Sequence, residues 1–171
     1  MADPIIVVDY DSQWAGVFET LRGRIAGALG DLAAAIEHVG STAVPGWAAK
    51  PVIDIDVLLA SSDGLPEAVR RLAPLGYTHR GDLGVVDREA FRQPAGQAAH
   101  HLYVCPPDSL EYPRHIAFRD YLLAHPDCAK VYGELKRNLA MQYRDDRESY
   151  NAGKAEFVRE ILGRALTPRT E

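Results

Sequence analysis

The sequence predicts an α+β fold: a small mixed sheet flanked by helices, with a helical C-terminal third. Three observations predict it. Apolar, strand-like runs occupy residues 34–39, 51–59 and 98–104. Helical periodicity fills 12–29 ahead of them and 64–75 between the last two, and beyond Pro106-Pro107 only helical periodicity remains. A length of 171 residues, 47% apolar and 25% charged, suits one globular domain over 1–171.

Residues 5–10 read as a short strand or extended arm. Ser12 is placed to cap a helix over 12–29, where Trp14, Val17, Phe18, Leu21, Ile25 and Leu29 recur at helical spacing. A strand at 34–39 leads to a turn or short helix at 42–49 holding Pro45 and Gly46. Residues 51–59 form the strongest strand, apolar enough to be buried on both faces apart from two acids. Leu65, Val69 and Leu72 mark a helix over 64–75, which Gly76 ends before a strand begins within Tyr77–Arg80. The polar stretch 81–97 holds a weak strand at 84–86 and then a mobile loop. Helices are expected at 110–124, at 126–141 starting on Pro126, and at 147–166, ahead of a frayed Thr-Pro-Arg-Thr-Glu tail.

The two acids carry the chemistry. Side chains alternate along a strand, so Asp54 and Asp56 point the same way. Two carboxylates on one face make a hard oxygen site suited to Mg²⁺ or Mn²⁺ carrying a phosphate. Upstream, Gly40 and Ser41 can bring backbone N–H groups and a hydroxyl to an anion. A metal site beside an anion turn is what phosphoryl or nucleotidyl transfer requires.

Charge and segment composition narrow the partners. A net charge of −5 weighs against a broad nucleic-acid surface. No apolar run reaches the roughly 20 residues a membrane span needs. The opening Met-Ala-Asp-Pro-Ile-Ile-Val-Val has no signal-peptide layout, so a cytoplasmic protein is expected. Cys105 and Cys128 make neither a disulfide framework nor a cysteine zinc motif.

His38-Val-Gly-Ser-Thr-Ala-Val-Pro-Gly46 and Ala49-Lys-Pro-Val-Ile-Asp-Ile-Asp56 together resemble the signature of the GrpB family. Tyr10 and Trp14, His100-His-Leu-Tyr-Val-Cys105, Phe118-Arg-Asp-Tyr-Leu122 with His125-Pro126, and Tyr132, Lys136, Tyr150 and Lys154 extend the resemblance over residues 5–165. It implies a nucleotidyltransferase-like, polymerase-β-like fold. That superfamily's pattern is Gly-Ser, roughly a dozen residues, then Asp-x-Asp on a strand; here residues 42–53 separate Ser41 from Asp54. Related domains also occur fused to dephospho-coenzyme A kinase. In one respect the chain departs from active superfamily members, which usually carry a third carboxylate on a later strand. Strand 98–104 offers His100, His101 and Tyr103 instead.

The resemblance implies a metal-dependent nucleotidyltransferase that moves a nucleoside monophosphate from a nucleoside triphosphate to an acceptor the sequence does not name. Asp54 and Asp56 would bind the metal. Gly40, Ser41 and Lys50 would hold phosphates, with Lys50 otherwise a surface lysine at a strand entrance. His101 would be the base or replacement ligand, since its ordinary pKa lies near neutrality. His100 and His101 face opposite ways, and His38 could face the site or pack inside. Lys136, Tyr150 and Lys154 would hold phosphate or base; Tyr150 and Lys154 share a helix face, which core packing explains equally well. Arg119 is another helical cation that could cross the cleft, and Asp82, Asp87 or Glu89 could supply the third acid. The alternative is a module that binds a nucleotide or a coenzyme A-like phosphate ligand without chemistry.

Overall fold

The computed structural model describes residues 4–167. Its strands are β1 (Ala33–Val39), β2 (Ile53–Leu59), β3 (Thr78–His79), β4 (Glu89–Arg92) and β5 (His100–Cys105). Its helices are α1 (Gln13–Leu29), α2 (Leu65–Leu72), α3 (Glu111–Ala124), α4 (Pro126–Gln142) and α5 (Arg147–Leu166). The sheet order is β1-β2-β5-β4-β3, with β2 and β5 parallel and every other pair antiparallel. This is a mixed α+β fold with a helical C-terminal region.

α1 presents the stripe its sequence foretold: Trp14, Phe18, Leu21, Ile25 and Leu29 are buried. Its start differs from expectation. Ser12 is itself helical and its side chain caps nothing. Asp11 does the work one residue earlier, its carboxylate accepting the Gln13 N–H at 2.9 Å and its carbonyl the Trp14 N–H at 3.1 Å. A carboxylate there also complements the positive end of the helix dipole.

β2 lies inside the sheet, and its alternation sorts two environments. Ile53, Ile55, Val57 and Leu59 pack with Leu102 and Val104 of β5 against α1 and α2. Each fully buried aliphatic contributes about 1.5–3 kcal/mol relative to exposure. Asp54 and Asp56 occupy the other face, beneath α3 and α5.

The C-terminal helices hold a second core of Val44, Trp47, Leu122, Ala129, Tyr132 and Ile161, with Phe157 stacked on Tyr132 at 4.7 Å between ring centroids. The arm at 5–10 is extended. A single bridge pairs Val8 with Ala49, and the Ile5 N–H donates to the Arg144 carbonyl at 2.8 Å, tying the loop before β2 to the end of α4.

The strand expected at 84–86 is instead a turn. Leu83 and Asp87 take left-handed backbone, and Asp82 accepts the Gly84 N–H at 2.8 Å, so the chain reverses there. Pairing begins later, at β4, where Ala90 and Phe91 bury their side chains. The frayed tail expected from Pro168 on lies outside the described residues. No described helix is long and apolar enough to cross a membrane.

Candidate functional site

Strand register assembles the site. Asp54 pairs with Val39 of β1 and His101 of β5; Asp56 pairs with Glu37 and Tyr103. All six share the face opposite α1, because directly paired residues project to the same side. His38 and His100 therefore face away. His38 stacks on Phe18 at 4.6 Å, its Nε2 shares a 2.9 Å hydrogen bond with the Thr42 hydroxyl, and burial lowers its pKa to about 4. His100 is buried beside Tyr77, whose hydroxyl lies 2.7 Å from its Nε2, and burial lowers its pKa. Of the adjacent histidines, only His101 joins the acids.

Gly40 turns the chain at the end of β1. Its φ is 72°, and a Cβ there would lie 2.3 Å from Asp54 Oδ2. Only glycine allows both the backbone and the close approach of the carboxylate. Behind it, the Thr42 hydroxyl links His38 to the Val52 carbonyl, pinning the Gly-Ser turn to the residue preceding β2.

Each aspartate has one oxygen engaged by a histidine. His101 Nδ1 lies 2.8 Å from Asp54 Oδ1, and His115 Nδ1 of α3 lies 2.6 Å from Asp56 Oδ2. Asp56 is fully buried, and its other oxygen, Oδ1, has no partner. Burial alone would lower the His115 pKa, but the hydrogen bond and charge of Asp56, with Glu111 adding to them, raise it. Among the described residues no cluster of three His, Cys, Asp or Glu side chains has metal-binding geometry.

A cavity of about 260 Å³ opens beside Asp54 and His101. Ser41, Lys50, Lys136, Arg147, Tyr150 and Lys154 line it. Lys50 and Lys154 stand over the same Tyr150 ring, at 4.9 and 4.4 Å. Lys136 is only 2% exposed; its Nζ has no hydrogen-bond partner and lies 4.5 Å from the Trp47 ring centroid. Burial lowers the Lys136 pKa to about 7 and that of Lys154 to about 8, with Lys154 and Lys50 adding repulsion to each respectively. Burial and Arg147 lower the Lys50 pKa too. Among the described residues, four basic side chains thus converge on a cavity whose one lining acid is Asp54.

This geometry brings together Gly40, Ser41, Lys50, Asp54, Asp56, His101, Lys136, Tyr150 and Lys154. Arg119 does not cross the cleft. It donates to Glu37 at 2.7 Å and to the His38 carbonyl at 3.0 Å, fastening α3 to β1, and also pairs with Asp120 at 2.8 Å. Two of the acids considered for the third position are engaged elsewhere: Glu89 binds His79 at 2.6 Å and is paired with Val104 on the α1 side, and Asp82 caps its own turn. The acid in register with Asp56 is Glu37, already neutralised by Arg119. Two contributors escaped the sequence reading. Arg147 precedes Tyr150, Asn151 and Lys154 at helical spacing, a signal that was present. His115 meets Asp56 across 59 residues and left no local signal.

The fold defines the class first. Terminal uridylyl transferase 4 of Trypanosoma brucei, solved with bound UTP, matches at a TM-score of 0.52 and 17% identity, covering 92% of this chain and 52% of that one. The architecture is therefore nucleotidyltransferase-like. The family model described as GrpB protein matches residues 4–164, and the chain belongs to the GrpB family. The crystal structure of the conserved protein GrpB from Enterococcus faecalis is similar at a TM-score of 0.85 and 32% identity, covering 94% of this chain and 96% of that one. A UPF0157 protein of Bacillus subtilis is 34% identical over 153 residues, 90% of this chain; the chain spans 45% of that relative's length.

Proposed function

We propose that this protein is a metal-dependent nucleotidyltransferase that passes a nucleoside monophosphate from a nucleoside triphosphate to an acceptor hydroxyl. The observation that carries this is the convergence of Lys50, Lys136, Arg147 and Lys154 on one cavity beside Asp54. Unpaired buried cations are costly, and a polyphosphate removes that cost. The UTP held by the uridylyl transferase of the same fold supports the reading.

The donor set fits a hard divalent cation. Asp56 Oδ1 is an orphaned buried oxygen, and the Asp54 and Asp56 carbons project from one strand face about 7 Å apart. Asp54 and Asp56 would hold Mg²⁺ or Mn²⁺, with substrate phosphates completing the shell, and the ion would supply neutralisation of phosphate charge. Gly40 and Ser41 receive the terminal phosphates at the turn, and the four cations balance them. His101 donates Nδ1–H to Asp54, which leaves Nε2 free to take a proton. The acceptor oxygen bonds to the α-phosphorus as the bridge to pyrophosphate breaks; its electrons leave with pyrophosphate, and the hydroxyl proton passes to His101. Catalysis of this kind rests on positioning and charge stabilisation.

A second reading, a nucleotide- or coenzyme A-like phosphate-binding module without chemistry, is favoured by Tyr103 standing opposite Asp56. Incubation with each nucleoside triphosphate, Mn²⁺ or Mg²⁺ and a panel of hydroxyl acceptors separates the two. Acceptor-dependent pyrophosphate release supports transfer; tight binding without release on any acceptor supports the module.

A further inference from the structure

A second cavity, of about 300 Å³, lies on the other flank of Asp54, between the sheet and the helices α3 and α5. Phe118, Val158 and Leu162 give it an apolar wall, and Tyr103, His115 and the guanidinium groups of Arg88 and Arg114 give it a polar one. We propose that this cavity is the acceptor site, and that it takes a small hydroxyl compound bearing its own carboxylate or phosphate, recognised by Arg88. The inference rests on the nucleotidyltransferase reading and names its acceptor class.

Four observations lead there. Arg88 has no acidic partner among the described ion pairs, and its Nε is buried without an acceptor. Its guanidinium carbon lies over the Tyr103 ring at 4.2 Å from the centroid, a cation–π contact that helps hold it in place. The preceding residue, Asp87, takes a φ of 60°, left-handed backbone that aspartate tolerates in a turn, and this turn sets where Arg88 enters the cavity. Arg114 meets Glu111 only at 3.7 Å, and Asp54, the other acid lining this cavity, is engaged by His101, so neither acid pairs with Arg88.

Charge decides between the two occupants that could fill the space. A nucleoside carries no negative charge, and the triphosphate is already matched by the lysine-rich cavity. An anionic acceptor satisfies the guanidinium donors that a nucleoside would leave unmatched. Size decides against a polymer: a pocket this small is at the low end of ligand cavities, and a nucleic-acid strand needs a long basic groove. The bound acceptor's hydroxyl would lie beside Asp54 and Asp56. Its oxygen bonds to the α-phosphorus, pyrophosphate departs with the electrons of the broken bridge, and the proton goes to His101, whose ring lies 6.1 Å from that of Tyr103.

The test uses glycerol 3-phosphate and L-malate as probes, with glycerol as the uncharged control. Binding to wild type is followed through the Arg88 Nε–H resonance of the full chain, and probe affinity is measured by calorimetric titration on wild type and on Arg88→Gln. Nucleoside triphosphate affinity is measured on both proteins. The expected result is a saturable Arg88 shift with at least one anionic probe and none with glycerol. In the variant, probe affinity falls about tenfold or more while triphosphate affinity stays within about twofold. The proposal is overturned if neither anion moves Arg88, or if Arg88→Gln weakens triphosphate binding as much as probe binding, which would make this the nucleoside's cavity. Anion binding at Arg88 in a wild-type protein that binds no triphosphate would remove the acceptor role together with the proposed function.

Discussion

Asp56 and His115 meet at 2.6 Å across 59 residues, and through them α3 is locked over β2, an interior strand of the sheet. Asp56 is fully buried, so His115 is the partner that makes its charge tolerable.

Replacing His115 with alanine should therefore destabilise the metal-free protein by about 3 kcal/mol, as when one member of a buried pair is removed. The pH dependence has a definite sign. The His115 pKa is raised in the folded state, so its contribution is fully present below its ordinary value near 6.5. It is lost as pH rises through the elevated folded value. Denaturant unfolding of wild type and variant across this range should show the gap closing at high pH. A gap that widens with pH would contradict the assignment.

Lys136→Met should act in the opposite direction on stability. The folded pKa is depressed to about 7, so between that value and the ordinary 10.5 the unfolded chain binds more protons. Wild-type stability should then rise with pH over this window, and the variant should lack that rise. An apolar side chain of similar length avoids the desolvated amine, so the variant should be more stable by about 1–3 kcal/mol near pH 7. It should also bind triphosphate about tenfold more weakly. Thermal unfolding at several pH values, with calorimetric titration of triphosphate, checks both halves. A variant that loses stability would show that Lys136 is structural.

Gly40→Ala tests the turn. A methyl group cannot sit 2.3 Å from Asp54 Oδ2, and the left-handed backbone adds strain of about 1–3 kcal/mol. Stability should fall by an amount of that order, and triphosphate binding should drop with it, because Asp54 must move. Calorimetry and denaturant unfolding on the same preparation read both. Wild-type affinity in this variant would mean that Asp54 does not touch the ligand.

His101→Ala should leave triphosphate affinity nearly intact and slow turnover by about 10²–10⁴-fold, the ordinary yield of a positioned base. Single-turnover kinetics on an active acceptor distinguishes this from lost binding.

Much of this was legible in the sequence. The period-two alternation of β2 put Asp54 and Asp56 on one face, and the stripe from Trp14 to Leu29 put α1 on the other. Tyr150 and Lys154 declared a shared face by their spacing. What escaped was set by long-range packing. His115, Arg119 and Arg88 acquire their partners only once α3 and the loop before β4 are folded against the sheet. The orientations of His38 and His100 depended on register, which the chain fixes through Gly40 and the apolar face of β2. The misplaced strand at 84–86 has a local cause: left-handed Leu83 and Asp87 reverse the chain there.

The most direct measurement is calorimetric titration of the four nucleoside triphosphates into the purified protein, with Mg²⁺ or Mn²⁺ and with chelator, beside the Asp54→Asn/Asp56→Asn variant. The account predicts binding that requires the metal and is lost in the double variant while the fold is retained. Absent binding, or binding indifferent to metal and to both aspartates, would contradict it.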